Sequence, residues 1–153
     1  MKPSYYFKVF FISFEFLILI ISFALYIYFK ADISSYFINI NVNGDALKWI
    51  IAYPVSIAGW IFKNGSSVIF PDEKSNRALH EWQEYWKLKA HFNIGLLYCI
   101  LFSAACLATW FLNKLVTLEG AWIFCSCSIG LSILVYSFYS AKIELKSALI
   151  HID

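Results

Sequence analysis

Few residues in this chain are suited to chemistry. His80-Glu81-Trp82-Gln83-Glu84 reads as half of a zinc-protease motif, in which two histidines at i and i+4 of a helix hold the metal and a glutamate between them acts as base. Glu84 stands where the second histidine would be, so the motif is incomplete. His80, Glu84 and His91 can share a face and hold a cation, but the same spacing describes solvated side chains making an ordinary i, i+4 contact. No Ser-His-Asp set, phosphate-binding glycine loop or acid pair of defined spacing occurs elsewhere. The sequence predicts no catalytic residue, no metal, no cofactor and no direct contact with nucleic acid.

Glu15 is the sharpest single residue, because it is the one acid inside a long apolar run. An ionised carboxylate near mid-membrane costs several kcal/mol, so it must face protein or a water-filled cavity, or take up a proton. Lys8 and Ser22 lie seven residues to either side and so fall on nearly the same helical stripe. An ion or proton site in a pore and a polar lock between subunits both fit, as does a carboxyl hydrogen-bonded to Tyr or Ser within the bundle. All four cysteines, Cys99, Cys106, Cys125 and Cys127, also lie in apolar runs, where cysteine behaves as a small hydrophobe. Cys106 and the Cys125/Cys127 pair are at comparable depth, so a disulfide is open to them if their helices touch.

These residues are carried by four apolar runs that account for more than half of the chain, with nothing between them long enough to fold as a soluble domain. The chain is 61% hydrophobic and 14% charged, where a soluble domain has about 25% charged residues. Its 153 residues could not hide that much apolar surface from water. The expected fold is all-α, a polytopic integral membrane helical bundle forming a single domain over 1–153. Val9 to Phe29 is long enough to cross a hydrocarbon core of roughly 30 Å at about 1.5 Å per residue. It is too long for a secretory h-region, and no small-x-small cleavage site follows. Ala46 to Phe62 is the weak run, short and interrupted by Pro54 and Gly59, and it either spans with a kink or is re-entrant. Ala90 to Leu112 and Gly120 to Ala141 are strong, and the short link between them, Asn113 to Glu119, forces a helical hairpin.

Basic residues set the orientation, since translocated loops tend to lack them. With four spans, Lys2, Lys8, Lys63, Lys74, Arg77, Lys87, Lys89, Lys142 and Lys146 fall on one side and Lys30, Lys48 and Lys114 on the other. Nine against three puts both termini in the cytosol, with a bacterial inner membrane as the expected site. With three spans, the loop before the third run and the C-terminal tail stay cytosolic and the N-terminus moves outside. Four spans are preferred because Ile50 to Ile61 offers little polarity to water, and because Trp49 and Trp60 stand where an aromatic belt would hold them.

In the outer loop, Phe37 to Gly44 alternates apolar residues with asparagine, the pattern of a short strand or hairpin arm and equally of an asparagine-capped loop. Asn64-Gly65-Ser66 matches a glycosylation acceptor but falls on the cytosolic side, so it reads as chance. The cytosolic loop 63–89 carries Pro71-Asp72, a helix start, followed by Leu79, Trp82, Tyr85 and Trp86 at helical spacing. That stripe predicts a cytosolic amphipathic helix lying on the inner leaflet, either as an aromatic anchor or as a docking face for a cytosolic protein.

Small residues recur one turn apart in the third and fourth runs: Gly95, Cys99 and Ser103, the adjoining Ala104 and Ala108, then Ser126 and Gly130. Such faces let backbones approach closely, and they are expected to meet within the hairpin or between subunits. The order of spans resembles that of small four-helix exclusion and abortive-infection proteins of bacteria and phages, of the lambda Rex membrane-component type. The resemblance covers span order alone and transfers no residue; it implies a role in phage defence. The leading expectation is a non-enzymatic membrane subunit that forms a homo-oligomer and anchors or gates an assembly through its loop 63–89 and C-terminal tail. The alternatives are a pore-forming, depolarising effector and a membrane-embedded enzyme.

Overall fold

The computed structural model describes residues 3–37, 49–69 and 85–150. Among them every regular element is a helix: α1 (Pro3–Ile12), α2 (Phe14–Phe37), α3 (Ala52–Ile69), α4 (Tyr85–Phe111), a single 3-10 turn at Lys114–Val116, and α5 (Leu118–Ile150). Three of these are long and apolar enough to cross a membrane: Phe14–Ser34 of α2, all of α4, and Leu118–Ile143 of α5.

The α4/α5 hairpin is the core. Buried positions on α4 run Phe92, Gly95, Cys99, Phe102, Cys106 and Thr109, and on α5 Phe124, Cys127, Leu131, Leu134 and Phe138. Both series step by three and four, the spacing that keeps one seam facing a partner helix in left-handed packing. Large and small residues alternate across it. A Cβ on Gly95 would meet the Phe138 ring at 2.8 Å, and one on Gly130 would meet the Phe102 ring at 2.6 Å. Gly95 and Gly130 thus each face an aromatic ring of the opposite hairpin helix.

The turn is built from local hydrogen bonds. Asn113 takes a left-handed conformation at φ 53° and donates its N–H to the Trp110 carbonyl (3.0 Å), which closes α4. Thr117 caps α5 by accepting the Gly120 N–H at 3.2 Å while donating to the Lys114 carbonyl at 2.7 Å. A side chain at Gly120 would collide with that same carbonyl, so the tight return requires glycine there.

The first apolar run, expected as one helix, is two. Ser13 breaks it: its hydroxyl donates to the Phe10 carbonyl (3.0 Å) and accepts the Phe16 N–H (3.2 Å). One side chain thus ends α1 and caps α2, leaving few backbone groups unpaired where no water would be at hand. The chain beyond Phe29 also differs from expectation, since α2 continues to Phe37. Residues 38–44 of the expected outer arm lie outside the described residues.

Lateral contacts define the two ends of the bundle. At one end Tyr5 of α1 packs edge-on against Trp86 and hydrogen-bonds His91, while Lys142 of α5 donates to Asn64 of α3 (3.3 Å). At the other, Lys30 of α2 lies 3.9 Å from Glu119 at the start of α5. The rise along α5 from Glu119 to Lys142 is about 35 Å at 1.5 Å per residue, enough to cross a hydrocarbon core of roughly 30 Å.

Pro54 stands in the first turn of α3, just after a turn at Ile51 that separates α3 from helical Trp49 and Ile50, so the helical path is interrupted beside the proline, which offers no N–H to the Ile50 carbonyl. The helix then packs on both hairpin helices, with Ile61 fully buried and Gly65 against the Phe92 ring. Its Tyr53 hydroxyl meets that of Ser132, 2.7 Å away and near the middle of α5. So α3 runs from mid-height to the Tyr5/Lys142 end and covers only half of the bundle. Asn64 and Gly65 sit within this helix, with Asn64 donating to the Trp60 carbonyl, a setting that suits the chance reading of the acceptor motif.

Candidate functional site

Two polar constellations interrupt the apolar bundle. The first surrounds the helix break. Tyr98 of α4 is 1% exposed, stacks on Phe10 with ring centroids 4.8 Å apart, and donates its hydroxyl to the Phe10 carbonyl at 3.0 Å. The Phe10 carbonyl, left free of a helical partner by the break, therefore accepts two hydroxyls, from Ser13 and from Tyr98. Glu15 follows in the first turn of α2 and is 8% exposed. An acid in a first helical turn is favoured by the helix dipole, by about 0.3–1 kcal/mol and up to about 2 kcal/mol where partly buried.

The break at Ser13 separates Lys8 from the expected stripe, whereas Glu15 and Ser22, seven residues apart, stay on one helix, α2. Lys8 is exposed on α1, Glu15 is buried at the break, and Ser22 is half-buried further along α2. Glu15 is buried within the single chain.

The second constellation joins α2 to α5. The Ser22 and Ser126 hydroxyls are 2.5 Å apart, and the Trp122 indole N–H is shared between the Ser22 carbonyl (3.2 Å) and hydroxyl (3.1 Å). Toward the end of the bundle Tyr26 donates to Glu119 (3.3 Å), and Lys30 lies 3.9 Å from Glu119 and 5.5 Å over the Tyr26 ring. Most of α2 faces outward, and none of its most apolar 18-residue window is buried. A helix held by hydrogen bonds along one edge leaves space beside it. That space is a cavity of about 440 Å³ between α2 and α5, lined by Leu19, Ser22, Phe23, Tyr26, Glu119, Trp122, Ile123, Ser126 and Cys127. It lies in the size range of small-molecule sites, about 300–1,000 Å³.

The other predicted residues separate. Gly95 and Cys99 face the α4/α5 seam, whereas Ala104 and Ala108 are exposed on the outside of α4. The Ser103 hydroxyl is buried with no hydrogen-bond partner among the described residues. Ser126 and Gly130, one turn apart, serve different neighbours: Ser126 meets α2 and Gly130 meets Phe102. All four cysteines are free thiols: Cys106 lies 3.8 Å from the Phe124 carbonyl, Cys99 and Cys127 are buried, and Cys125 is exposed. Tyr85 and Trp86 belong to the first turn of α4; Leu79, Trp82, His80 and Glu84 lie outside the described residues. Among the described residues no group of three His, Cys, Asp or Glu side chains is arranged to hold a metal ion.

Tyr26, Lys30, Tyr98, Glu119 and Trp122 were not singled out by sequence. Their signal was present: aromatic residues with a polar tip inside apolar runs, and opposite charges at the ends of two runs. No family model matches the chain, and no curated protein or solved structure matches it either.

Proposed function

We propose that the chain is a non-enzymatic integral membrane subunit that self-associates in a bacterial inner membrane and anchors or gates a larger assembly through its loop 63–89 and C-terminal tail. The observation that carries this reading is the placement of α2. A helix apolar enough to span, yet with none of its most apolar window buried, offers its outer face to lipid or to a second copy. The exposed Ala104 and Ala108 on α4 add a face on which another helix can approach closely.

Four passes are the topology that fits best. Lys30 of α2 lies at the Glu119 end and Asn64 of α3 at the Lys142 end, so the chain has to return between them, with α3 as the inner half of that pass. Both termini and loop 63–89 then share the cytosolic side, as the lysine bias favours. Reporter fusions at the N-terminus, after Arg77 and after Asp153 should all read cytosolic; an external signal from any of them overturns the orientation. In nanodiscs the protein should run as an oligomer, and a monomer well above trace concentration overturns self-association.

A pore is the second reading, favoured by one observation: a buried acid at a helix break, since broken membrane helices commonly border ion sites. Expression that collapses the membrane potential supports the pore, and expression that leaves it intact supports the anchor. A role in phage defence follows from span order alone and is tested by phage plating on cells with and without the gene.

A further inference from the structure

The cleft between α2 and α5 combines features that an oligomer or an anchor does not need. Its walls, Leu19, Phe23 and Ile123, are apolar, and its mouth carries charges of both signs. We propose that it binds a zwitterionic phospholipid with a primary-ammonium headgroup, of the phosphoethanolamine class: ammonium on Glu119, phosphate against Lys30, and one acyl chain in the cavity. The proposal rests on the reading of α2 and α5 as membrane-crossing helices.

Depth, volume and charge point the same way. Glu119 and Lys142 mark the two ends of the bundle along α5, about 35 Å apart and so farther than a hydrocarbon core of roughly 30 Å, so the mouth lies where hydrocarbon gives way to headgroups and the cavity runs inward from it. A volume of about 440 Å³ is too large for a water or an ion alone and suits a flexible chain. At the mouth Glu119 and Lys30 are both more than half exposed and 3.9 Å apart, a loose pair that solvent screens and that gives little by itself. A headgroup carrying both charges replaces that one loose pair with two. The Tyr26 hydroxyl already donates to Glu119, so the carboxylate is held toward the cleft.

The same geometry discriminates among lipids. A headgroup with phosphate alone leaves Glu119 facing like charge. A quaternary ammonium brings charge without N–H donors, and charge-assisted hydrogen bonds to a carboxylate are the stronger kind. Ethanolamine lipid meets both requirements.

The full-length protein is first tested for release from membranes by alkaline carbonate, then stripped of lipid in mild detergent. It is next placed in nanodiscs holding equal amounts of dioleoyl ethanolamine, glycerol and choline phospholipids, and retained lipid is counted by native mass spectrometry. The ethanolamine lipid should be enriched about tenfold, the factor expected for one charge-assisted contact. Glu119→Gln should bring the three lipids to near parity, and Leu19→Trp, which fills the cavity without touching the mouth, should lower retention of all three. Equal retention by the native protein, an unchanged preference in Glu119→Gln, or undiminished retention in Leu19→Trp overturns the proposal. So does a second copy of the chain cross-linked across the cleft in place of lipid. Release by carbonate would instead remove the membrane premise, and the proposal with it.

Discussion

Gly130 offers the most direct test of how the hairpin is held. A methyl group added there would sit 2.6 Å from one carbon of the Phe102 ring and within 3.1 Å of two others, whereas ordinary contact begins near 3.4 Å. Phe102 is 3% exposed and lies against Tyr98, ring centroids 5.7 Å apart, so the ring has little room to retreat. Overpacking of this kind costs about 1–3 kcal/mol. Opposing it, alanine in a helix interior is better than glycine by about 0.5–1 kcal/mol. The difference predicts a net loss of about 1 kcal/mol, and at most about 2.5 kcal/mol, for Gly130→Ala. Gly59 supplies the control: nothing lies within 4 Å of a Cβ built there, so Gly59→Ala should show the helix gain alone, about 0.5–1 kcal/mol of stabilisation. Phe102→Leu, by shortening the opposing side chain, should relieve Gly130→Ala, with a coupling of at least about 0.5 kcal/mol. Unfolding in mixed micelles of increasing SDS fraction, followed by tryptophan fluorescence, reads all four proteins. If Gly130→Ala and Gly59→Ala stabilise alike, or if the double variant is additive, the two rings-and-glycine layers do not hold the hairpin as described. Oligomer size should stay constant throughout, because Gly130 packs within its own chain.

Two further outcomes follow from residues deeper in the bundle. Glu15→Gln keeps size and most hydrogen bonding, so it should leave oligomer size and fold intact, whereas Glu15→Leu should loosen the packing at the helix break by about 0.6–2 kcal/mol, the range for polar contacts between membrane helices; loss of activity in Glu15→Gln with unchanged assembly would instead identify a pore or proton path. Thiol labelling in membranes by a lipid-permeant maleimide should reach Cys125 first, since Cys99, Cys106 and Cys127 are buried, and early modification of Cys99 or Cys106, read by peptide mass, would contradict the seam.

The parts legible in the sequence are those the bilayer dictates. Three apolar runs became long helices because length and hydropathy alone decide whether a helix can cross, and α4 and α5 begin and end within a few residues of the expected bounds, save that α5 runs on to Ile150. The break at Ser13 was hidden for a physical reason. A serine that satisfies the backbone on both sides of a break costs little, and one hydroxyl in an apolar run barely alters its hydropathy. Pro54 left a kinked span and a re-entrant segment both open, because a proline marks where a helix is interrupted without saying how far the chain runs on either side. The three-and-four spacing from Phe92 to Thr109 and from Phe124 to Phe138 was present to be read, but apolar residues surround it on every side, so the seam has little contrast.

Polar residues carried less information about their partners than about their cost. Glu15 is buried, covered by its own chain, and self-association is therefore not needed to hide it. The demand for a partner moves to α2. Its polar edge, Ser22, Tyr26 and Lys30, is used against α5, and none of the helix's most apolar 18-residue window is buried. Hydrogen bonds fix where that edge sits without filling the space beside it, because Ser22 and Ser126 are small and leave the cavity open behind them. A lipid in the cleft and a second copy on the outer face of α2 are thus separate consequences of the same arrangement. The first depends on Glu119 and the second does not. Glu119→Gln should accordingly change which lipids stay bound while leaving oligomer size as it was, and a coupled loss of both would mean that α2 is held in place by the headgroup itself.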